Sequence, residues 1–189
     1  CAAAIAHALG LELEPALAAL ATVPQVPGRL ELVSGAADDI AALVDYAHTP
    51  DALERVLSAV RPHVAGRLWC VFGCGGDRDP TKRGPMGRAV ARGADVAVVT
   101  NDNPRGEEPS SIADAVVEGL VEGGADQHRV ELDRARAIEL AVSEAEPGDA
   151  VVVAGKGHET YQIIGETVAS FDDRVALREA LVARREKQR

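Results

Sequence analysis

Short apolar runs and longer amphipathic stretches alternate along most of this chain, and the two periods predict its elements. Arg29 to Val33 and Ile40 to Tyr46 fit strands, and Pro50 to Val60 then carries apolar residues at helical spacing behind Thr49, a candidate N-cap. The alternation continues with Arg67 to Phe72 as a strand, Gly84 to Arg92 as a helix, Asp95 to Thr100 as a strand and Ser110 to Glu122 as a helix. A short strand near Arg129 to Leu132, a helix from Arg134 to Glu144 and a strand at Asp149 to Ala154 follow. Val151-Val-Val-Ala154 is apolar without interruption, as a strand covered by helices on both faces should be. A hairpin-like stretch then leads to a helix from Asp172 onward. Strands separated by helices predict a mostly parallel, doubly wound α/β sheet.

The first residues break this rhythm. Cys1 to Ala21 is alanine-rich and reads as helical, and Val23-Pro-Gln-Val-Pro-Gly28 resembles a linker, because its prolines remove amide donors and disfavour helix before them. A domain boundary is therefore expected there, dividing residues 1–27 from 28–189. With 189 residues the chain is long enough for one sizeable core and an appendage. Its formal net charge of -10 argues against a nucleic-acid backbone or an anionic membrane as the main partner. Three cysteines, without a zinc-type pair, point to reduced thiols and to the cytoplasm. No apolar run approaches the roughly 18 to 20 residues of a membrane span, and the alanine-rich start lacks the flanks of a signal peptide.

In an open α/β sheet ligands bind at the carboxyl ends of the strands. Three predicted strands end in glycine and charge: Gly73-Cys-Gly-Gly-Asp-Arg-Asp79, Asn101-Asp-Asn-Pro-Arg105 and Gly155-Lys-Gly-His-Glu159. The first alone is as well explained by a structural turn, although the forked donors of Arg78 suit a carboxylate or phosphate. In the second, Asp102 or Asn103 would take the ammonium of an amino acid and Arg105 its carboxylate, the plainer alternative being an Asn-Pro turn with a solvated arginine. The third follows the clearest strand. Glu159 there could bind a substrate ammonium and His158 fits an orienting or packing role, but the phosphate-loop pattern G-x-x-x-x-G-K-[ST] occurs nowhere in these residues. A fourth segment, Asp45-Tyr-Ala-His-Thr-Pro-Asp51, offers acceptors for sugar hydroxyls at a strand-to-helix junction, with Thr49 and Asp51 partly explained as caps. The histidines fall at unrelated spacings, and no metal site is expected.

Taken in order, Asp45-Tyr-Ala-His-Thr-Pro-Asp-Ala-Leu-Glu54, Trp69-Cys-Val-Phe-Gly-Cys-Gly-Gly-Asp-Arg-Asp79, Asp102-Asn-Pro-Arg105 and Val153-Ala-Gly-Lys-Gly-His-Glu159 closely resemble the C-terminal domain of the Mur ligases, within them the MurE type. Gly28-Arg-Leu-Glu31 resembles the hinge that joins the family's central ATPase domain to this one, which would make residues 1 to about 26 the closing helices of the central domain. The resemblance implies a Rossmann-like sheet and an ATP-dependent ligation, in which an acyl phosphate is attacked by the amino group of meso-diaminopimelate. By that resemblance Arg29, Asp45 and His48 would face ATP, while Arg78, Asp102, Asn103, Pro104, Arg105, Gly155 and Glu159 would form the meso-diaminopimelate site. ATP, Mg²⁺ and UDP-MurNAc-L-Ala-D-Glu are the implied reaction partners, the ion bound mainly by the central domain. The family's P-loop is missing from these residues, so the chain by itself is expected not to turn over. A binding module derived from a Mur ligase is the alternative reading, and a ligase adding folate glutamates is disfavoured by Asp102-Asn-Pro-Arg105.

Overall fold

The computed structural model describes residues 2–188. The alanine-rich stretch that reads as helical forms two helices: α1 (Ala2–Ala8) and α2 (Leu13–Ala21) are separated at Gly10, whose φ is 77°. Neither helix contributes a buried residue, and Ile5, Leu9, Leu13 and Leu17 are exposed on them and between them. Cys1, at the start of the predicted helical stretch, lies outside the described residues.

Beyond the linker the chain builds one six-stranded sheet. Its strands are β1 (Glu31–Leu32), β2 (Ala41–Asp45), β3 (Leu68–Phe72), β4 (Val96–Val99), β5 (His128–Val130) and β6 (Ala150–Ala154), in the spatial order β1-β2-β6-β3-β4-β5. Only the short β1 runs antiparallel to its neighbour. The intervening helices are α3 (Pro50–Val60), α4 (Arg83–Gly93), α5 (Pro109–Glu122) and α6 (Arg134–Glu144). After β6 come a separate hairpin of β7 (Tyr161–Ile164) and β8 (Thr167–Ser170), then α7 (Asp173–Lys187). This is the doubly wound, Rossmann-like arrangement that the alternation predicts, with boundaries moved by a residue or two.

Both faces of the central strands are covered, which is why every residue of β3, β4 and β6 is buried. Leu68, Cys70 and Phe72 point to one side, where Leu53 and Leu57 of α3, Met86 of α4 and Val116 of α5 pack with them. Trp69 and Val71 point to the other, against Ile138 and Val142 of α6 and Leu177 and Leu181 of α7. Period-2 alternation thus distributes one apolar run between two cores. Thr49 caps α3 by accepting a hydrogen bond from Ala52 N, as its position before the helix predicts. The indole of the sole tryptophan, Trp69, donates to Asp149 Oδ2 at 3.0 Å. Burial alone would raise the pKa of that carboxyl, but donation from Glu146 N, Trp69 and Arg67 N outweighs it and lowers the value.

The chain advances from β2 through β3 and β4 to β5, then returns to insert β6 between β2 and β3. That reversal gathers the segments after β3, β4 and β6 at one end of the sheet, in the crevice where such folds bind ligands.

Candidate functional site

Backbone and side-chain hydrogen bonds sew the segments after β3 and β4 together. Gly76 N donates to Asn103 O at 2.9 Å, and Gly106 N donates to Asp77 Oδ2 at 3.0 Å. Glu107 accepts from Asp77 N at 2.6 Å and twice from Arg83 NH2 at 2.8 Å, and the Arg83 guanidinium holds its carboxyl below the usual carboxylate range. The hairpin is fastened to the middle segment as well. Arg105 N donates to Ile163 O at 3.1 Å, Gly165 N donates to Arg105 O at 2.7 Å, and Gln162 Nε2 donates to Asp102 O at 2.8 Å. These clasps hold Arg105 at φ 52°, a left-handed conformation unusual for a side chain of its size.

Between the segments lies a cleft of about 280 Å³. Six of the seven residues expected around an amino acid line it: Arg78, Asp102, Asn103, Arg105, Gly155 and Glu159. The seventh, Pro104, is buried beside them and does not line the cleft. His48, assigned from sequence to the nucleotide, lines this same cleft, so the two groups of residues are not spatially separate. Tyr46, Gly75, Lys82 and Tyr161 complete the wall, and nothing in the sequence had singled out Lys82 or Tyr161. Lys82 Nζ donates to His48 O at 3.2 Å, tying the first wall to the nucleotide-type segment.

Cations and anions face each other across this volume. Arg105 spends NH1 on Gly76 O at 2.8 Å and Asn103 O at 3.3 Å, so among the described residues its other guanidinium donors remain open. Arg78 is exposed and contacts only the neighbouring Asp77 O, at 3.4 Å, among the described residues. The acceptors are Asp102 and Glu159. Gly155 makes room for the first: at φ 122° it has no Cβ, and a Cβ there would stand 2.9 Å from Asp102 Oδ2. The two acidic side chains lie 3.6 and 3.8 Å from the ammonium of Lys156, a fully buried residue that sequence reasoning passed over. Burial lowers the pKa of Lys156 despite the opposing pull of Asp102 and Glu159.

A second hidden ion pair underlies the cleft. Arg134 and Asp173 are both completely buried and pair through Nε to Oδ1 at 2.7 Å and NH2 to Oδ2 at 2.8 Å. The same guanidinium donates to Asn101 O at 3.1 Å and Ala154 O at 3.0 Å, the carbonyls just before Asp102 and Gly155. One side chain therefore pins both acid-bearing segments to the sheet. Burial would favour a neutral Arg134, but the Asp173 carboxylate more than reverses this and raises its pKa.

Of the residues assigned from sequence to ATP, His48 lines the cleft and Arg29 and Asp45 do not. Arg29 places its guanidinium 4.5 Å from the centre of the Tyr46 ring, and that ring also meets His48 at 4.6 Å and His158 at 5.3 Å. Gly28 and Gly157 meet with no space for side chains, since a Cβ on Gly28 would fall 2.2 Å from Gly157 C. Asp45 accepts from Leu30 N and Ala47 N, both at 2.8 Å, each oxygen keeping one lone pair for another donor. Among the described residues no group of three or more His, Cys, Asp or Glu side chains is arranged to hold a metal ion. Among the described residues no helix is long and apolar enough to cross a membrane.

Residues 28–157 match the family profile described as Mur ligase, glutamate ligase domain. Over 180 residues, 95% of this chain and 36% of the relative, the sequence is 57% identical to a protein of Gloeobacter violaceus named UDP-N-acetylmuramoyl-L-alanyl-D-glutamate--2,6-diaminopimelate ligase. A protein of the same name from Synechocystis is 54% identical over 186 residues, covering 96% of this chain and 36% of that one. A solved structure under that name superposes with a TM-score of 0.79 at 41% identity, covering 96% of this chain and 37% of the other. The chain thus spans a little over a third of the length of these relatives.

Proposed function

Because this chain belongs to the Mur ligase family, we propose that it is the amino-acid-binding domain of an ATP-dependent ligase that adds meso-diaminopimelate to UDP-MurNAc-L-Ala-D-Glu. The carrying observation is the cleft itself, where open guanidinium donors of Arg78 and Arg105 oppose the carboxylates of Asp102 and Glu159. A molecule with two ammonium and two carboxylate groups matches both signs at once. Relatives that bear the name of this ligase at 57% and 54% identity support the same substrate.

In the reaction a carboxylate oxygen of the precursor takes the terminal phosphoryl group of ATP, giving an acyl phosphate and ADP. The ammonium first gives up one proton, the resulting amine attacks the acyl carbon, the C–N bond forms, the bond to phosphate breaks, and the nitrogen loses a second proton. The part played by these residues is to bind and orient the amine. Asp102 and Glu159 accept from ammonium groups, Arg105 and Arg78 donate to carboxylates, and fixing the nucleophile in this way lowers the entropic barrier to attack. Arg29, Asp45 and His48 face the nucleotide, the open lone pairs of Asp45 being suited to ribose hydroxyls. The family uses ATP with Mg²⁺. The described residues present no cluster that fits the ion. A cytoplasmic location, and small molecules rather than nucleic acid or membrane as partners, accord with this reading.

Calorimetric titration of the chain with meso-diaminopimelate, L-lysine and L-glutamate tests it. Meso-diaminopimelate should bind more tightly than lysine, which lacks one carboxylate, and than glutamate, which lacks one ammonium. Equal binding of all three, or preference for glutamate, would overturn the assignment.

A further inference from the structure

We propose that Lys156 is a positioning residue of the cleft: its buried ammonium fixes the Asn103 carboxamide as a hydrogen-bond donor toward the amino-acid ligand. This rests on the functional reading above for the identity of the ligand, though not for the local geometry. Lys156 Nζ donates to Asn103 Oδ1 at 2.9 Å, and Ile163 N donates to the same oxygen at 2.9 Å. Two donors on one oxygen assign that end of the amide as the acceptor. Flipping it would turn an NH₂ group toward an ammonium and a backbone N–H, losing both bonds and creating donor–donor repulsion. The amide nitrogen is therefore held toward Glu159 Oε2, at 3.3 Å, on the cleft side.

The consequence is a sign. From sequence, Asn103 was as good a candidate for the ammonium as Asp102, but a carboxamide whose oxygen is already taken offers only N–H bonds. It suits a ligand carboxylate, and Asp102 and Glu159 are left as the acceptors. Lys156 has a further bond, Nζ to Tyr161 O at 2.8 Å, which ties the start of β7 to the same ammonium. With side-chain exposure of 0%, the lysine touches no ligand and acts through what it holds.

The test is a double-mutant cycle in the 189-residue chain, with meso-diaminopimelate titrated calorimetrically into wild type, Lys156→Met, Asn103→Ala and the double variant. Lys156→Met should weaken binding by about 10-fold or more, the order expected for losing one charge-assisted contact. On the Asn103→Ala background the same change should cost less than about 2-fold, since there is no amide left to orient. Full additivity of the two losses would overturn the proposal, because a lysine that merely supports the fold acts equally on both backgrounds. Should Lys156→Met fail to fold, Lys156→Gln, which removes the charge but keeps a polar side chain, replaces it in the cycle. NMR of the free wild type gives a ligand-independent arm. The Asn103 Nδ2 protons should show NOEs to Glu159 and none to the Ile163 amide proton, and the reverse pattern would refute the orientation. If wild type binds no diamino diacid while the NOEs hold, the functional reading fails and the positioning of Asn103 stands.

Discussion

Cutting the buried pair beneath the cleft should be among the most destabilising changes available, and its size follows from the bonds that remain. In Asp173→Asn the new amide keeps one acceptor for Arg134, loses the charge, and turns an NH₂ group against a guanidinium donor that was bound to Oδ2 at 2.8 Å. Removing one member of a fully buried pair leaves an uncompensated charge and typically costs about 3 to 5 kcal/mol. For a domain with an m-value of about 1 to 3 kcal/mol/M in urea, that moves the midpoint down by roughly 1 to 5 M. Trp69, buried and unique in the chain, provides the fluorescence signal for the unfolding curve. The double variant Arg134→Leu/Asp173→Leu should recover part of the loss but not all of it. Arg134 also satisfies Asn101 O and Ala154 O, and a leucine leaves those two carbonyls without their donor. A coupling energy of at least about 2 kcal/mol is expected from the cycle of Arg134→Leu, Asp173→Leu and their double variant. If Asp173→Asn costs less than about 1 kcal/mol, or the two single losses simply add, the pair does not carry the weight assigned to it.

Arg105→Ala should weaken meso-diaminopimelate binding about 10- to 100-fold in calorimetry while leaving lysine nearly unaffected, since only the former brings a second carboxylate to the guanidinium. Asp39 is held at a pKa of about 2, chiefly by its paired hydrogen bonds from Arg184 against the opposing effect of burial. Its folded value lies below the ordinary 3.8, so its contribution is complete above about pH 4 and disappears as pH falls through about 2. Allowing for partial exposure, that contribution is on the order of 1 to 2 kcal/mol. The stability gap between wild type and Asp39→Asn in urea titrations should therefore be widest near pH 7 and shrink below pH 4. Burial pushes Cys70 and Cys74 up to about 12. In a Cys1→Ser background neither should react with a thiol reagent at pH 8 on the time scale of minutes, and both should react in 8 M urea, as followed by mass spectrometry.

The elements were legible because their signals are local. Val151-Val-Val-Ala154 reads as a covered central strand from four consecutive residues, and Thr49 announces α3 from the position before it. The strand-end segments were legible for the same reason, each carrying its glycines and charges within a few positions. Lys156 and Arg134 were not. Both look in sequence like ordinary surface cations, one inside a glycine-rich turn and one at the start of a helix. What makes them internal is apposition across the fold: Asn103 is 53 residues from Lys156, and Asp173 is 39 from Arg134. The orientation of the Asn103 amide was equally hidden, because Ile163, 60 residues away, supplies one of the donors that set it. The N-terminal stretch was legible as helical from its alanine content, and it divides at Gly10, where a left-handed residue interrupts a run of strong helix formers.

The hairpin that clasps the middle segment changes what can be inherited as a unit. Asp102 to Arg105 look like a portable tetrapeptide, yet their shape is imposed by Ile163, Gly165 and Gln162 on one side and by Gly76 on the other. A recombination event or engineered graft that exchanged residues 101–107 alone would deliver the right side chains on a backbone free to relax from φ 52° at Arg105. Exchange of ligand preference between relatives of this domain should accordingly require residues 73–79, 101–107 and 155–165 to travel together. Crossovers that fall between residues 107 and 155 would separate Arg105 from the strand that holds it in place.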